Sequence, residues 1–414
     1  MGVTEEQVRR DVLAWFGEAW DPDLSLLEWR ERLIDSGWAV PSWSRDWYGR
    51  GLPAWSDRVA HDAIRDAGGV GTALGVGTML AAPTIYDLGS DALKREFIRP
   101  AITGEHTWCQ LFSEPSAGSD LAGLRTTARR DGDQWVVSGQ KVWNTSADHA
   151  DYAILVARTD WDVPKHAGLT YFVLDMRQPG VEVRPIVQMN RHQSFNEVFL
   201  TDATIPLDRV VGEIGGGWAV ARATLAHERT FDAQRNASFA PGASGRVVDE
   251  ARAAAAEHER TYAWYPQRKG RHDLLVERAR ALGVSGDPVV RQAIARVLSM
   301  ERASAWTAER AKAARALGRP PGAEGSIGKL ALSEIARACN EAHSLVAGAR
   351  AMLTEGDDPR DAVVAEVLVS TPAQSIAGGT DEIQHTILGE SVLGLPREPA
   401  PDRGQPFRNV ATSR

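Results

Sequence analysis

A short stretch near the end of the chain has two adjacent glycines just before a predicted helix. In SIAGGTDEIQ, residues 375–384, Gly378 and Gly379 are followed by Thr380 and two acids. Glycine accepts a left-handed φ and lets another group approach the main chain closely, and threonine often caps a helix. The stretch predicts a helix N-terminus preceded either by an ordinary tight turn or by a backbone that a bound group approaches.

A second candidate for chemistry is the carboxylate in ATLAHERTF. In a helix, Glu228 lies three residues after Leu225 and seven after Ala221, on the stripe that Trp218 begins. A carboxylate on a core-facing stripe is unfavourable unless something uses it or pairs with it. Glu228 is therefore either a functional base or half of a structural ion pair with a neighbouring helix.

The hydrophobic pattern places these residues in a chain of three parts. Residues 1–106 have apolar positions at helical spacing, residues 107–212 form short β-rich runs separated by turns, and residues 213–398 return to a helical pattern. Residues 399–414 are expected to form a loose tail. This order predicts an α+β fold with segregated domains and disfavours the alternating elements of a Rossmann fold.

Composition excludes several classes of protein. The 414 residues are 43% hydrophobic and 25% charged, as in soluble globular proteins, and the net charge of -8 argues against nucleic-acid binding. No run of about 20 apolar residues predicts a membrane span, and the amphipathic N-terminus does not read as a signal peptide. Cys109 and Cys339, far apart, suit a reducing compartment without disulfides or a metal site, so we expect a cytoplasmic protein.

One long segment carries a more specific signal. WCQLFSEPSAGSDLAGLRTTARRDGDQWVVSGQKVWNTSADHADYAILVARTD resembles the middle of the acyl-CoA dehydrogenase family, and the resemblance returns in GGTDEIQHTILGESVLGLPRE. It covers most of the chain from about residue 78 to residue 398. The family implies a helical N-terminal domain, a central β domain and a helical C-terminal bundle, usually in a tetramer that binds FAD and acyl-CoA.

The same resemblance implies an activity within lipid metabolism such as β-oxidation. A base removes the α-proton of an acyl-CoA while flavin N5 takes the β-hydrogen as hydride, which forms a 2,3-enoyl-CoA. Electrons then pass to an electron-transfer flavoprotein or a similar acceptor. An isoalloxazine needs a flat apolar wall and aimed polar groups, which LFSEPSAGSD and VWNTS supply.

The family pattern can be carried over residue by residue. It implies that Phe112 and Ser113 present backbone and hydroxyl groups to FAD, that Trp143 covers a ring face, and that Thr145 bonds near N5. Gly118 and Ser119 would border the thioester and pantetheine. Thr380 and Glu382 match positions that contact the flavin of the same or a neighbouring subunit.

The chain departs from the common pattern at the base. Many members carry a glutamate just before Gly-Thr, where this chain has Gly378, so that residue retains only its backbone N–H as a donor to the thioester carbonyl. A minority of the family carries the base on another helix, directly before an arginine. Glu228 followed by Arg229 matches that arrangement, in which the arginine shapes the acyl-CoA cavity.

A second departure concerns the Arg-x-Phe-Gly motif whose arginine meets the flavin pyrophosphate across a subunit interface. RALGVSGDPVVRQ stands in its place, and the candidates for the missing contact are Arg271, Arg278 and Arg280. The sequence alone does not choose among them.

The combination of Gly-Gly-Thr and Glu-Arg resembles actinobacterial members that act on bulky or branched acyl chains, including sterol side chains. Some of those relatives are mixed assemblies of two related chains, so both a homotetramer and a mixed tetramer stay open. Two alternatives to a catalytic dehydrogenase also stay open. One is a non-catalytic subunit of a mixed assembly, and the other is a flavin monooxygenase on the same fold.

Overall fold

A computed structural model describes residues 2–231, 238–316, 322, 324–355, 358–399, 402 and 404–410. The chain divides into two units, one formed by Met1–Ile186, Gln193–Thr261 and Asp402–Arg414, and the other by Val187–His192 and Tyr262–Pro401. Along the chain the elements run from helices through strands to helices. The predicted α+β class with a central β region is confirmed.

The helices of the first unit pack into its largest core. α1 and α2 each begin at a capping box, in which Thr4 pairs with Gln7 and Ser25 pairs with Glu28. Their apolar stripes meet around Trp29, which is fully buried. The helices of this unit are α1 (Glu5–Ala19), α2 (Leu26–Asp35), α3 (Trp55–Asp66), α4 (Ala82–Leu88), α5 (Asp91–Thr103), α6 (Gly217–Phe231) and α7 (Arg246–Thr261).

A sheet of eight strands in the described part of the chain forms the rest of this unit. Its order is β6-β7-β3-β2-β4-β5-β8, and β1 pairs in parallel with β4. Strand β5 is buried along six of its seven positions, as expected for a strand covered on both faces. The strands are β1 (Trp108–Leu111), β2 (Thr127–Asp131), β3 (Gln134–Asn144), β4 (Tyr152–Arg158), β5 (Leu169–Asp175), β6 (Val181–Ile186), β7 (Phe195–Pro206) and β8 (Val210–Val211).

The start of α6 is held tightly against β5. The hydroxyl of Thr170 accepts a hydrogen bond of 3.0 Å from the amide of Gly215. A Cβ on Gly217 would lie 2.6 Å from the carbonyl carbon of Thr170, so only glycine allows this close approach. The first turn of α6 is thereby fixed to the sheet.

The segment 404–410 belongs to the first unit and lies on its sheet region, although the sequence predicts a loose tail. The amides of Phe407 and Arg408 donate to the carbonyls of Val163 and Trp161 at 2.9 and 3.0 Å. The Phe407 ring covers the guanidinium of Arg158, whose carbon lies 3.5 Å from the ring centroid. We call residues 404–410 the C-terminal strap.

Arg158, the residue under the strap, is a buried charge with several partners. Its side chain is fully buried and donates to the carbonyls of Ala122, Leu124 and Lys165 at 2.6, 3.2 and 3.1 Å. Burial lowers the pKa of Arg158 to about 10. The Phe407 ring adds a cation–π contact to the stabilisation that the carbonyls and the carboxylates of Glu114, Asp120 and Asp160 give this charge.

The second unit is helical. Its helices are α8 (Tyr265–Arg268), α9 (Leu275–Ala281), α10 (Pro288–Ala316), α11 (Glu324–Ala347), α12 (Pro359–Ser370) and α13 (Asp381–Ile387). A small core around Val297, Ile335 and Cys339 joins α9, α10 and α11. None of the helices in the described ranges has the length and apolar character needed to cross a membrane.

Candidate active site

The loop after β1 carries the first group of predicted site residues. Phe112 is buried, and its ring meets that of Tyr171 edge-on, with 5.8 Å between centroids. Ser113 is half-buried, and its carbonyl accepts a hydrogen bond of 2.9 Å from the amide of Val142. Phe112 therefore offers a ligand its main chain only, whereas Ser113 remains partly exposed.

A buried ion pair holds this loop from behind. The ammonium of Lys141 is fully buried and lies 3.0 Å from a carboxylate oxygen of Glu114, and it also donates to the carbonyls of Phe112 and Val156 at 2.9 and 2.8 Å. Glu114 in turn accepts from the amides of Arg125 and Thr126 at 2.6 and 2.8 Å. The pair thus fixes both ends of the loop to the sheet.

The electrostatics of the pair follow from these contacts. Burial alone raises the pKa of Glu114, but Lys141 and the two amides outweigh it, so the net pKa is lowered. Burial lowers the pKa of Lys141, and Glu114 opposes that effect. With every donor of the ammonium matched to an acceptor, the pair is ionised.

Sequence reasoning assigned no role to Lys141 or Glu114. A signal for Lys141 was present, because side chains alternate along a strand and Lys141 shares its parity with Trp135 and Val137, both buried. A charged residue at an inward position requires a buried partner. The position of that partner 27 residues earlier is set by the fold.

Trp143 is the most unusual residue of the first unit. It lies at a register shift between β3 and β7, has φ of 65°, and is 58% exposed. A bulky residue with left-handed φ is rare and strained, and such residues cluster at functional sites. Its ring touches Phe195 edge-on, with 5.8 Å between centroids, which leaves an indole face open.

The surroundings of Trp143 enforce this conformation. The next residue, Asn144, is buried, and its side-chain amide donates to the carbonyl of Gln110 at 2.7 Å, while its carbonyl accepts from Asn196 at 3.1 Å. The side-chain oxygen of Asn144 is buried and has no partner among the described residues. Thr145 follows and is half-buried. An open aromatic face beside an unmatched acceptor and a threonine suits a flat polar-edged ligand.

Gly118 and Ser119 lie on the exposed part of the same loop. A Cβ on Gly118 would meet nothing within 4 Å, so this stretch of backbone is open to an approaching group. The loop is anchored just beyond, where the ammonium of Lys165 contacts the carboxylate of Asp120 at 2.8 Å.

Glu228 lies near the end of α6 and is half-buried. Ala221 is fully buried, and Trp218 and Leu225 pack against the core of the first unit, so the predicted stripe does face inward. The neighbouring His227 contacts the carboxylate of Asp87 at 3.0 Å. The side chain of Arg229 lies outside the described part of the structure.

The Gly-Gly-Thr stretch belongs to the second unit. Gly378 and Gly379 have φ of 68° and 88°, and Thr380 caps α13 by accepting from the amide of Ile383 at 3.3 Å, which confirms the predicted helix N-terminus. A Cβ on Gly378 would meet nothing within 4 Å, so its conformation, not crowding, favours glycine. Gly378 and Glu382 are exposed.

A second charged network supports this turn. Asp381 is nearly buried and contacts Arg337 at 2.7 Å and Lys329 at 3.3 Å, and Lys329 also donates to the carbonyl of Gln374 at 2.5 Å. Burial opposes ionisation, but hydrogen bonds from Arg337, Ser333 and Lys329 lower the pKa of Asp381 to about 2. Sequence reasoning missed this role of Asp381.

The structure separates the three arginines proposed for the missing pyrophosphate contact. Arg278 is buried and pairs with Asp361 and Asp358, and Arg271 pairs with Asp273 at 2.8 Å. Arg280 is exposed and forms no ion pair with any other described residue. Of the three, Arg280 is the one whose charge remains available to an anion.

Comparison with known proteins gives one consistent result. Three family descriptions match in order: acyl-CoA dehydrogenase N-terminal domain over residues 3–105, middle domain over 109–203 and C-terminal domain over 215–393. The chain is 35% identical over 377 residues to acyl-CoA dehydrogenase IpdE1 of Mycobacterium tuberculosis, covering 89% of this chain and 88% of that protein.

Two solved structures share the fold. The ChsE4-ChsE5 complex from Mycobacterium tuberculosis aligns with a TM-score of 0.63 and 26% identity over 96% of this chain and all of the matched chain. The Tcur3481-Tcur3483 steroid ACAD aligns with a TM-score of 0.64 and 23% identity, over 95% of this chain and 98% of that one.

Proposed function

This chain belongs to the acyl-CoA dehydrogenase family, an oxidoreductase family whose members use FAD, and from that premise we propose that it oxidises the Cα–Cβ bond of an acyl-CoA thioester to a 2,3-enoyl-CoA. The observation that carries the proposal is the exposed, left-handed Trp143 beside the unmatched oxygen of Asn144. Such backbone strain persists only where the surrounding structure enforces it, and it often marks a functional site. Here the strained conformation exposes the Trp143 ring, against which a flat ligand could stack.

We assign the FAD contacts residue by residue. Trp143 would cover a ring face, Thr145 and Ser113 would donate their hydroxyls, and Phe112 would contribute its main chain. Thr380 and Glu382 would contact a flavin of this or a neighbouring subunit, and Arg280 is the candidate for the pyrophosphate. When bound, FAD supplies the two-electron acceptor for the β-hydrogen of the substrate.

Glu228 is the proposed base. The α-proton becomes acidic when the thioester carbonyl is polarised, and a carboxylate within reach of the α-carbon can accept it. Its helix is fixed to the sheet at the Gly217 contact and packs inward along the Trp218 stripe. Arg229, directly after it, is proposed to shape the acyl-CoA cavity.

Gly378 contributes a backbone N–H to the thioester carbonyl, while Gly118 and Ser119 border the thioester and pantetheine. An amide donor stabilises the enolate that forms as Glu228 takes the proton. The exposed Gly378 has no side chain to occupy the space before it, which suits a bulky or branched acyl group.

Assembly beyond the monomer is part of the proposal. The second unit exposes large apolar side chains, including Trp306 at 69%, Met352 at 78% and Leu393 at 71%. Side chains of this size are common at interfaces. The similarity to the ChsE4-ChsE5 complex favours a mixed tetramer with a related chain, and a homotetramer is the alternative.

We keep a second candidate function, a non-catalytic subunit of a mixed assembly, because the similar ChsE4-ChsE5 structure is a complex of two chains. The test is to incubate purified protein, alone and with its co-expressed partner, with FAD, a panel of acyl-CoAs and an artificial electron acceptor. Formation of 2,3-enoyl-CoA with bleaching of the flavin band supports the dehydrogenase. Protein that is colourless in every assembly state and binds no added FAD overturns the dehydrogenase proposal. Activity that appears only with the co-expressed partner, and that is lost when the active site of the partner is inactivated, identifies this chain as the non-catalytic subunit.

A further inference from the structure

Three hydroxyl groups meet in the core of the first unit, where apolar contacts would be expected. Thr84 on α4, Tyr171 on β5 and Thr224 on α6 are all fully buried. The Thr224 oxygen lies 3.0 Å from the Tyr171 hydroxyl and 3.0 Å from the Thr84 hydroxyl. We call these three residues the hydroxyl node.

The directions of these hydrogen bonds follow from the chemistry of a hydroxyl. The Thr224 hydroxyl donates to the carbonyl of Val220 at 3.1 Å, which uses its only proton. It therefore accepts from both Tyr171 and Thr84 with its two lone pairs. Burial raises the pKa of Tyr171, so the phenol remains a donor across the physiological range. Each member of the node has one defined role.

The node joins α6 to the wall of the site. Thr224 precedes Glu228 by four residues, about one helical turn, so the two side chains lie on the same face of α6. At the other end, the ring of Tyr171 contacts the ring of Phe112, whose carbonyl is held by Lys141. A rotation or slide of α6 at Thr224 would displace Glu228 and strain this contact.

Packing alone does not explain three hydroxyls at this place. Valine and phenylalanine have nearly the same shapes as threonine and tyrosine and would fill the same volume without polar atoms. A buried hydroxyl is unfavourable unless it forms hydrogen bonds, and those hydrogen bonds fix the relative orientation of the groups that they join. The arrangement restricts the axial position and the rotation of α6, which apolar contacts constrain less sharply.

We propose that Thr84, Tyr171 and Thr224 are positioning residues that fix the approach of Glu228 to the substrate, an inference that rests on the proposed role of Glu228 as base. Misplacing a reacting group by about 1 Å can lower a rate by about 100-fold. Loss of one hydrogen bond of the node is expected to cause a smaller displacement and a loss of about tenfold.

The experiment measures flavin reduction by rapid mixing with acyl-CoA in Thr224→Val, Thr224→Ser and Tyr171→Phe, each with its FAD content and acyl-CoA dissociation constant. We expect about tenfold slower reduction in Thr224→Val and Tyr171→Phe, with unchanged FAD content and substrate affinity within about twofold. Thr224→Ser keeps the hydroxyl and should reduce its flavin near the wild-type rate. Tyr171→Phe keeps the ring against Phe112, so it reports on the node even if Thr224→Val folds poorly.

Tyr152→Phe is the matched control. Tyr152 lies on β4 in an aromatic cluster with Phe97 and Trp108, away from the node, and the variant should match the wild type. A general loss of stability would slow all variants alike, whereas the node predicts loss only where its hydrogen bonds are broken.

A double-variant cycle with Glu228→Gln separates the node from the proposed function. If Glu228 is the base and the node positions it, Tyr171→Phe should add little loss in the Glu228→Gln background. A wild-type rate in Glu228→Gln alone overturns the proposed base. Two results overturn the positioning role of the node and leave the base intact. In the first, Glu228→Gln reduces its flavin slowly and Tyr171→Phe lowers that rate by the same factor as in the wild type. In the second, Thr224→Val and Tyr171→Phe both reduce their flavin at the wild-type rate.

Discussion

The two units reach the same left-handed backbone conformation by opposite means. In the first unit a tryptophan is forced to φ of 65° at a register shift between strands, and in the second a glycine adopts φ of 68°. Trp143 offers a large side chain, whereas Gly378 offers only its main chain. In the proposed function Trp143 would act through a side chain that the strand pairing holds in place, and Gly378 would act through a main chain whose conformation glycine adopts readily.

The supports behind the two segments differ in the same way. Lys141 and Glu114 are fully or nearly buried and pair with each other and with main-chain groups, whereas Asp381 pairs with Lys329 and with Arg337, whose side chain is 47% exposed. A buried pair is costly to break because it leaves an uncompensated charge, and a pair at the rim is worth less. Loss of the Lys141 charge should therefore cost more stability than loss of the Asp381 charge.

The largest effect is expected from Lys141→Met. The substitution leaves Glu114 buried without its partner, which should lower the free energy of unfolding by about 3–5 kcal/mol. Urea unfolding followed by tryptophan fluorescence measures it. Lys165→Met, which breaks a more exposed pair with Asp120, should cost no more than about 1 kcal/mol. Equal losses in the two variants would contradict the contrast, and adding Glu114→Gln should recover part of the loss in Lys141→Met.

The next effect concerns the proposed base. Glu228→Gln keeps the size of the side chain and removes its basic oxygen, so acyl-CoA should still bind while flavin reduction slows by about 100-fold or more. Rapid-mixing absorbance of the flavin measures the rate. Glu213→Gln, an exposed acid just before α6, is the control and should be unaffected. Reduction of the Glu228→Gln flavin at the wild-type rate would show that the base lies elsewhere.

Asp381→Asn tests the support in the second unit and should cost about 1–2 kcal/mol near neutral pH. The folded-state pKa of Asp381, about 2, lies below the unfolded value of about 3.9. Its stabilising contribution is therefore present above about pH 4 and is lost as the pH falls towards 2.

The difference in the free energy of unfolding between wild type and Asp381→Asn should therefore decrease as the pH falls from about 4 towards 2. Unfolding experiments at a series of pH values measure it. Glu341→Gln, at an exposed pair with Arg296, provides a control that should show little difference at any pH. If the difference in the free energy of unfolding between wild type and Asp381→Asn stays constant from pH 5 to pH 2, the charge of Asp381 is not the source of that stability.

The smallest effect is expected from Gly378→Ala. Alanine at φ of 68° costs about 1 kcal/mol, and the added Cβ meets open space, so the main chain and its N–H should remain in place. Gly348→Ala, at φ of 53° and also in open space, should lose similar stability without changing the rate. An activity loss in Gly378→Ala beyond about tenfold would mean that the space before this residue, not only its N–H, is required.

Local features of this site were predictable from sequence, and long-range ones were not. The cap at Thr380 depends on residues within one turn, and the inward stripe of α6 depends on helical spacing alone, so both were predicted. The left-handed conformation of Trp143 arises at a register shift in the pairing of β3 with β7, and this register cannot be read from the local sequence around Trp143. The hydroxyl node joins Thr84 to Thr224, which are 140 residues apart in the sequence, so no local sequence pattern predicts it.

The C-terminal strap illustrates the same limit and has a further consequence for how the protein is made. Arg408 pairs with Asp162, 246 residues earlier, and Phe407 covers the buried Arg158. At ribosomal rates of about 5–20 residues per second, the strap emerges on the order of 10–50 s after the strands that it covers. During that interval, while the second unit is synthesised, Arg158 lacks the ring that covers its guanidinium in the folded chain.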